Sequence, residues 1–241
     1  MTDPSPTADY DVIVIGSGFG GSVAALRLTE KGYRVLVVEA GRRFSDQELA
    51  RTTWDVRRYL WAPALRCFGI QRIHPLHDVL LLAGAGVGGG SLVYAAALFR
   101  PHDAFYRDPQ WSHITDWQAE LDPYYDQASR MLGVVTTPHP APIDVVIGKV
   151  ASDMGVADTF HRRRSEFTSG RPVRPMRTHF RRCRTGAHWM HGMRLVHVGM
   201  PGGCQNTLTK NYLYLAERHG AQVAPMTTVD SVAPDRMGPS Q

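Results

Sequence analysis

Cysteine is scarce. Cys67, Cys183 and Cys204 are the only three in 241 residues. Thiols so few and so scattered exclude a disulfide framework, and with His188, His191 and His197 they make no recognisable ligand set, so no metal is expected. Long apolar runs are missing too, which leaves no transmembrane segment. The first nine residues, Met1–Asp9, are polar, hold two prolines and lack an apolar signal core. They predict a frayed tail and make the cytoplasm the default location. Acid is lacking in one place only. Between His161 and Arg184 stand nine arginines and one acid, Glu166, so this stretch is at +8 in a chain of net charge +5. The remaining residues are therefore net acidic, and the basicity belongs to one segment. The length allows one large domain or two small ones.

What is present is a strand, a glycine turn, a helix, a second strand and an acid. Asp11-Val-Ile-Val-Ile-Gly16-Ser-Gly18-Phe19-Gly20-Gly21 leads through Ser22–Lys31 to Val35-Leu-Val-Val-Glu39. In this order Gly16 permits a tight turn, Gly18 lets backbone approach a pyrophosphate, and Gly21 lets the helix lie close to the sheet. The first helical turn offers unpaired N–H groups and a positive dipole end to phosphates. Glu39 falls 18 residues past Gly21, where a carboxylate meets ribose hydroxyls. A strand–helix turn without ligand is the plain alternative. Strand before, helix after and Gly32 as the stop all favour a dinucleotide. The acid favours an unphosphorylated ribose and leaves FAD and NAD undivided.

Farther along, Ser45 is a plausible N-cap opening a helix, and Trp54–Trp61 reads as helical with its tryptophans packed. Val79–Ala83 reads as a buried strand running into Gly84-Ala-Gly86-Val-Gly88-Gly89-Gly90-Ser91-Leu92-Val-Tyr94. Five glycines in seven residues require positive φ angles or close approach to something flat or charged. Trp111–Val134 predicts a core helix capped by Asp116 and kinked or broken at Pro123. Thr136–Pro142 is a connector and Ile143–Met154 a short helix. Asn206 caps a helix reaching Arg218, ended by His219 and Gly220. Gln222–Ala224 and Thr228–Val229 read as short strands.

The two glycine loops together resemble the glucose–methanol–choline (GMC) flavoprotein oxidoreductases, nearest to their actinobacterial cholesterol-oxidase-like branch. Ala25–Tyr33, Trp61-Ala-Pro63, Gly69–Pro75, Trp111–Trp117, Asn206–Leu213 and Ala221–Val229 carry the likeness further. The resemblance implies an α/β, Rossmann-like FAD-binding domain, incomplete and without most of a substrate domain. It spans residues 10–156 and returns at 206–230, with tails at 1–9 and 231–241. FAD is the implied cofactor. Gly16, Gly18, Phe19, Gly20 and Gly21 would face its pyrophosphate and Glu39 the adenosine ribose. Gly84, Gly89, Gly90, Ser91 and Tyr94 would line the flavin side, and Val229 would meet adenine through its backbone. Relatives carry an asparagine just after the Ser-Leu pair, where this chain has Val93, Tyr94 and Ala96. The implied reaction moves a hydride from an alcohol, a 3β-hydroxysteroid such as cholesterol, to flavin and on to oxygen or another acceptor. The family's histidine base lies beyond Gln241. His74, His77, His102, His113, His139 and His219 are expected at the surface or in packing, and no catalytic residue is nominated. Implied partners are the alcohol or sterol and, for sterol access, a peripheral membrane contact.

The interval 157–205 does not fit that likeness, and from His161 on it has no structural period. Trp189-Met190-His191 is encoded TGG ATG CAY, which reads GGA TGC, Gly-Cys, one base later. Met193-Arg194, Val196-His197 and Met200-Pro201 allow or force further TGC codons. The hidden cysteines then fall as C-x2-C-x2-C-x3-C, a ferredoxin-like ligand spacing. Relatives carry a cysteine-rich stretch here. The expectation is a frameshift entered near His161 and restored near Asn206, with Asp230–Gln241 a further slip. Three rivals stand beside the oxidase reading. One is an inactive truncated relic. Another is a different two-dinucleotide flavoprotein such as a ketosteroid dehydrogenase, disfavoured by the second glycine loop. The last is nucleic-acid binding through the arginine run, disfavoured because no aromatic platform accompanies it.

Overall fold

The structure, a computed structural model, describes residues 9–45, 47–50, 52–94, 98–136, 142–161, 164–165 and 206–233. The interval 166–205 and the tails at 1–8 and 234–241, with the frame, arginine-run and tail expectations that fall on them, lie outside the described residues.

Strand β1 (Val12–Ile15) and strand β2 (Val35–Val38) are short apolar runs rich in β-branched residues. They pair in parallel from Val12↔Val35 to Ile15↔Val38. A parallel pair needs a crossover, and helix α1 (Phe19–Glu30) supplies it. Its stop is Gly32, whose φ of +88° suits glycine. Next come α2 (Val56–Tyr59), β3 (Trp61–Ala62), β4 (Cys67–Phe68), β5 (Gln71–Pro75) and β6 (Leu80–Gly84). Then follow α3 (Asp103–Tyr106), α4 (Trp117–Leu132), β7 (Val135–Thr136), α5 (Pro142–Asp153), β8 (Arg164–Ser165), α6 (Tyr212–Arg218) and β9 (Gln222–Ala224). Strand β9 returns across the chain to pair with β2 in parallel, which gives a sheet of order β1-β2-β9.

One face of that sheet holds the core. Ala25 and Leu26 of α1 meet Leu213 and Ala216 of α6 over Val35 and Val37, all essentially without solvent contact. Each fully buried Leu or Val there contributes about 1.5–3 kcal/mol. The opposite face is bare at β1, where Ile13 and Ile15 are each 58% exposed.

Several expectations need correction. Val79–Ala83 is not a buried strand: β6 pairs with β5 as an antiparallel hairpin, and Leu80, Leu81 and Leu82 are 49–61% exposed. Helix α4 runs unbroken through Pro123. Asp116 does cap it, accepting from the Ala119 N–H at 3.1 Å, but only Leu132 along it is buried. Ser45 opens a turn and not a helix, its N–H and hydroxyl both donating to Glu48 Oε2 at 2.8 Å. These bonds, with Arg42 nearby, hold the Glu48 carboxyl below its ordinary range. Between Trp54 and Trp61 only Val56–Tyr59 is helical. The cap of α6 is Asn211, not Asn206. Thr228–Val229 is irregular and not a strand.

Candidate functional site

The first glycine turn leaves β1 at Gly16, whose N–H donates to Val38 O at 2.8 Å and whose φ is +89°. Gly18 is the N-cap of α1, no side chain caps the helix, and no acid stands in its first turn. The donors of that turn are thus left for an incoming anion. The glycines divide sharply. A Cβ on Gly16, Gly18 or Gly20 would meet nothing within 4 Å, whereas one on Gly21 would lie 1.9 Å from Gly16 O. The backbone is open where a phosphate would approach and closed where helix meets turn, so these residues fit a pyrophosphate.

Glu39 follows β2 immediately. Its Oε2 accepts from the Ser17 N–H at 3.0 Å and the Ser17 hydroxyl at 2.7 Å, and its Oε1 accepts from the Gly41 N–H at 2.9 Å. A carboxylate has roughly four acceptor positions, so three donors orient it and leave capacity for a ribose hydroxyl. The turn after β9 is tied beside it, with Thr227 N–H donating to Glu39 O at 2.9 Å and Met226 N–H to Gly41 O at 3.0 Å. Val229 lies two residues farther on and is partly exposed.

The second loop is pressed against the first. A Cβ on Gly89 would stand 2.8 Å from Gly18 Cα, and one on Gly84 would stand 2.4 Å from Gly89 O. Gly86, Gly88 and Gly89 all have positive φ. Gly90 faces Phe19, whose ring meets Tyr94 edge-on with centroids 5.5 Å apart. A short 3-10 turn at Gly89–Leu92 buries Ser91, whose hydroxyl donates to Gly88 O at 2.7 Å.

A third stretch locks the pair. Leu208 N–H donates to Ser91 Oγ at 3.1 Å. The buried Asn206 amide donates to Leu132 O at 2.8 Å, closing the end of α4, and Asn211 Nδ2 donates back to Asn206 Oδ1 at 3.0 Å. The structure thus brings Gly16, Gly18, Phe19, Gly20, Gly21 and Glu39 together with Gly84, Gly89, Gly90, Ser91 and Tyr94. Sequence reasoning missed Ser17, Asn206 in its actual role, and Asn211. A signal for Ser17 existed, since it is a polar side chain set between two turn glycines behind an apolar strand. Among the described histidines, His74, His77, His102, His113 and His219 are all exposed, as expected. Among the described residues no group of His, Cys, Asp or Glu could hold a metal, and no helix is long and apolar enough to cross a membrane.

Residues 11–51 match the family model described as FAD binding domain. A cholesterol oxidase of Mycobacterium tuberculosis is 55% identical over 237 residues, covering 92% of this chain and 39% of the relative. A GMC-type oxidoreductase of the same species is 38% identical over 97 residues, covering 40% of this chain and 15% of the relative. Among solved structures, pyridoxine 4-oxidase from Mesorbium loti aligns with a TM-score of 0.50 at 14% identity, over 90% of this chain and 42% of that one, which supports the fold alone. The chain spans about two fifths of the length of the cholesterol oxidase it matches. With two glycine loops in one cradle and an acid at its ribose end, the chain is similar to cholesterol oxidases over 92% of its length, carries a FAD binding domain match at 11–51, and has GMC-type oxidoreductases among its relatives.

Proposed function

We propose that this chain forms the FAD-holding part of an alcohol oxidase whose substrate is a 3β-hydroxysteroid such as cholesterol. The observation that carries it is the closed contact between the two glycine loops, which makes one continuous backbone wall from Glu39 to Tyr94. Along it, Gly16, Gly18, Phe19, Gly20 and Gly21 bind the pyrophosphate through backbone N–H groups. Glu39 accepts from the ribose, and Val229 meets adenine through its main chain. Gly84, Gly89, Gly90, Ser91 and Tyr94 would bound the flavin side, the glycines adding no side chain to that wall. FAD, when bound, would supply the hydride acceptor, with oxygen or another acceptor as the final oxidant. The proton-accepting base is assigned to no residue of this chain. The cytoplasm, with peripheral contact to a membrane for sterol access, is the proposed location.

An inactive relic is the second reading, favoured by the bare β1 face at Ile13 and Ile15. One experiment separates the two. The purified chain is titrated with FAD, its spectrum recorded, and cholesterol added without oxygen. A bound yellow flavin that bleaches with sterol supports the oxidase. A colourless, aggregated product supports the relic, and a flavin that only NADH reduces would sink the sterol reading. We further propose that residues 161–205 are a frame-shifted interval. Resequencing the DNA from the Met154 codon to the end of the frame tests this, and an unchanged frame refutes it.

A further inference from the structure

Ser17 is fully buried between the two glycine loops. Its hydroxyl donates to Glu39 Oε2 at 2.7 Å and accepts from the Gly88 N–H at 3.0 Å. The Gly88 carbonyl in turn accepts from the Ser91 hydroxyl at 2.7 Å, and Ser91 Oγ accepts from the Leu208 N–H at 3.1 Å. Direction is imposed from one end. A carboxylate only accepts, so the single Ser17 hydrogen points to Glu39 and its lone pairs are left for Gly88. A hydroxyl can serve both neighbours at once, and a methyl group of similar size can serve neither.

We infer that Ser17 is a positioning residue that couples the two ends of the cofactor cradle. It acts through Glu39 at the adenosine ribose and through Gly88 beneath the flavin loop, and in this it rests on the FAD reading above. Gly88 has a φ of +104°, which glycine adopts as one of many conformations, so its placement needs an external tie. The Ser17 hydroxyl provides it. Without that hydroxyl a buried N–H loses its acceptor and the Glu39 carboxylate loses a donor. The third stretch enters the same chain of bonds at Leu208, so all three separated segments are in register with one acid.

The test uses the full 241-residue chain. Ser17→Ala and Glu39→Gln are made singly and together, and FAD affinity is read by quenching of flavin fluorescence. Ser17→Ala should weaken binding roughly tenfold, the usual scale for a bond to a charged group. The double variant should lose little more than the worse single one, because Ser17 acts through Glu39. Fully additive losses overturn the assignment. A second arm needs no flavin. In the cofactor-free chain, Ser17→Ala should speed amide hydrogen exchange at Gly88 roughly tenfold while the β1–β2 amides stay as they were. No change at Gly88, or a uniform rise across the sheet, overturns it. Should Ser17→Ala not fold, Glu39→Ala reads the same link from its other end. The freed hydroxyl can then turn, Gly88 exchange rises, and an unchanged rate overturns the relay. A wild-type chain that binds no FAD would sink the functional reading, while the exchange arm would still decide for or against Ser17.

Discussion

The two glycine loops share a composition and differ in why they need it. In the first, Gly18 and Gly20 face open ground, and a side chain there would meet no other part of the protein. In the second, glycines serve the protein itself. Gly84, Gly86 and Gly89 have main chain or side chain where a Cβ would sit, and three of the loop's glycines hold positive φ. One loop leaves its backbone open on the outside. The other is a hinge-tight fold of backbone whose outer edge happens to form the opposite wall. Gly21 belongs physically with the second group, although it lies in the first motif.

That division can be broken by substitution. Gly21→Ala forces a Cβ to 1.9 Å from a main-chain oxygen, and the variant should lose about 3 kcal/mol or more by urea unfolding. A loss under about 1 kcal/mol would place Gly21 with the open glycines. Gly89→Ala combines a φ of +52° with a 2.8 Å approach to Gly18 Cα, and about 2 kcal/mol of destabilisation is expected in the same assay. Gly18→Ala should behave in the opposite manner. Its stability should stay within about 0.5 kcal/mol of wild type, while fluorescence titration shows FAD affinity falling roughly tenfold as the methyl group meets the pyrophosphate. Equal loss of stability and binding there would erase the contrast between loops. The smallest effect concerns the strand that feeds the first turn. Asp11 receives the Arg34 N–H at 2.7 Å and pairs with its guanidinium at 2.8 Å, and these bonds lower the Asp11 pKa from its ordinary 3.8. A carboxyl lowered by folding stabilises above its ordinary pKa, and that contribution is lost as pH falls below it. Acid unfolding of Asp11→Asn should therefore approach wild type as pH drops below 3.8 and differ slightly above it. Because both side chains are exposed, the difference should be at the limit of detection.

The first motif was legible because its signals are local. Val12–Ile15, the glycine turn and Val35–Val38 lie within one crossover, and each residue's place in it follows from its neighbours in sequence. Glu39 was legible for the same reason. The assembly of the cradle was not. That Leu208 would reach Ser91, or that Asn206 would close α4 and leave the capping of α6 to Asn211, depends on partners 117 and 74 residues away. Leu80–Leu82 misled because an apolar run implies burial, whereas here it forms a two-stranded hairpin with both faces in water. Of the break or kink expected at Pro123, the break does not occur, and α4 continues through it despite the missing N–H.

The Leu208–Ser91 bond sets an order in time. Among the described residues, sheet and cradle both take in residues near 208–224, brought back across more than a hundred intervening positions. Long-range closure of this kind is entropically costly and slow. On the ribosome, a nascent chain that has displayed both glycine loops still lacks the amide that holds the second one. A flavin that needs both loops in place is then expected to bind only after β9 has paired with β2.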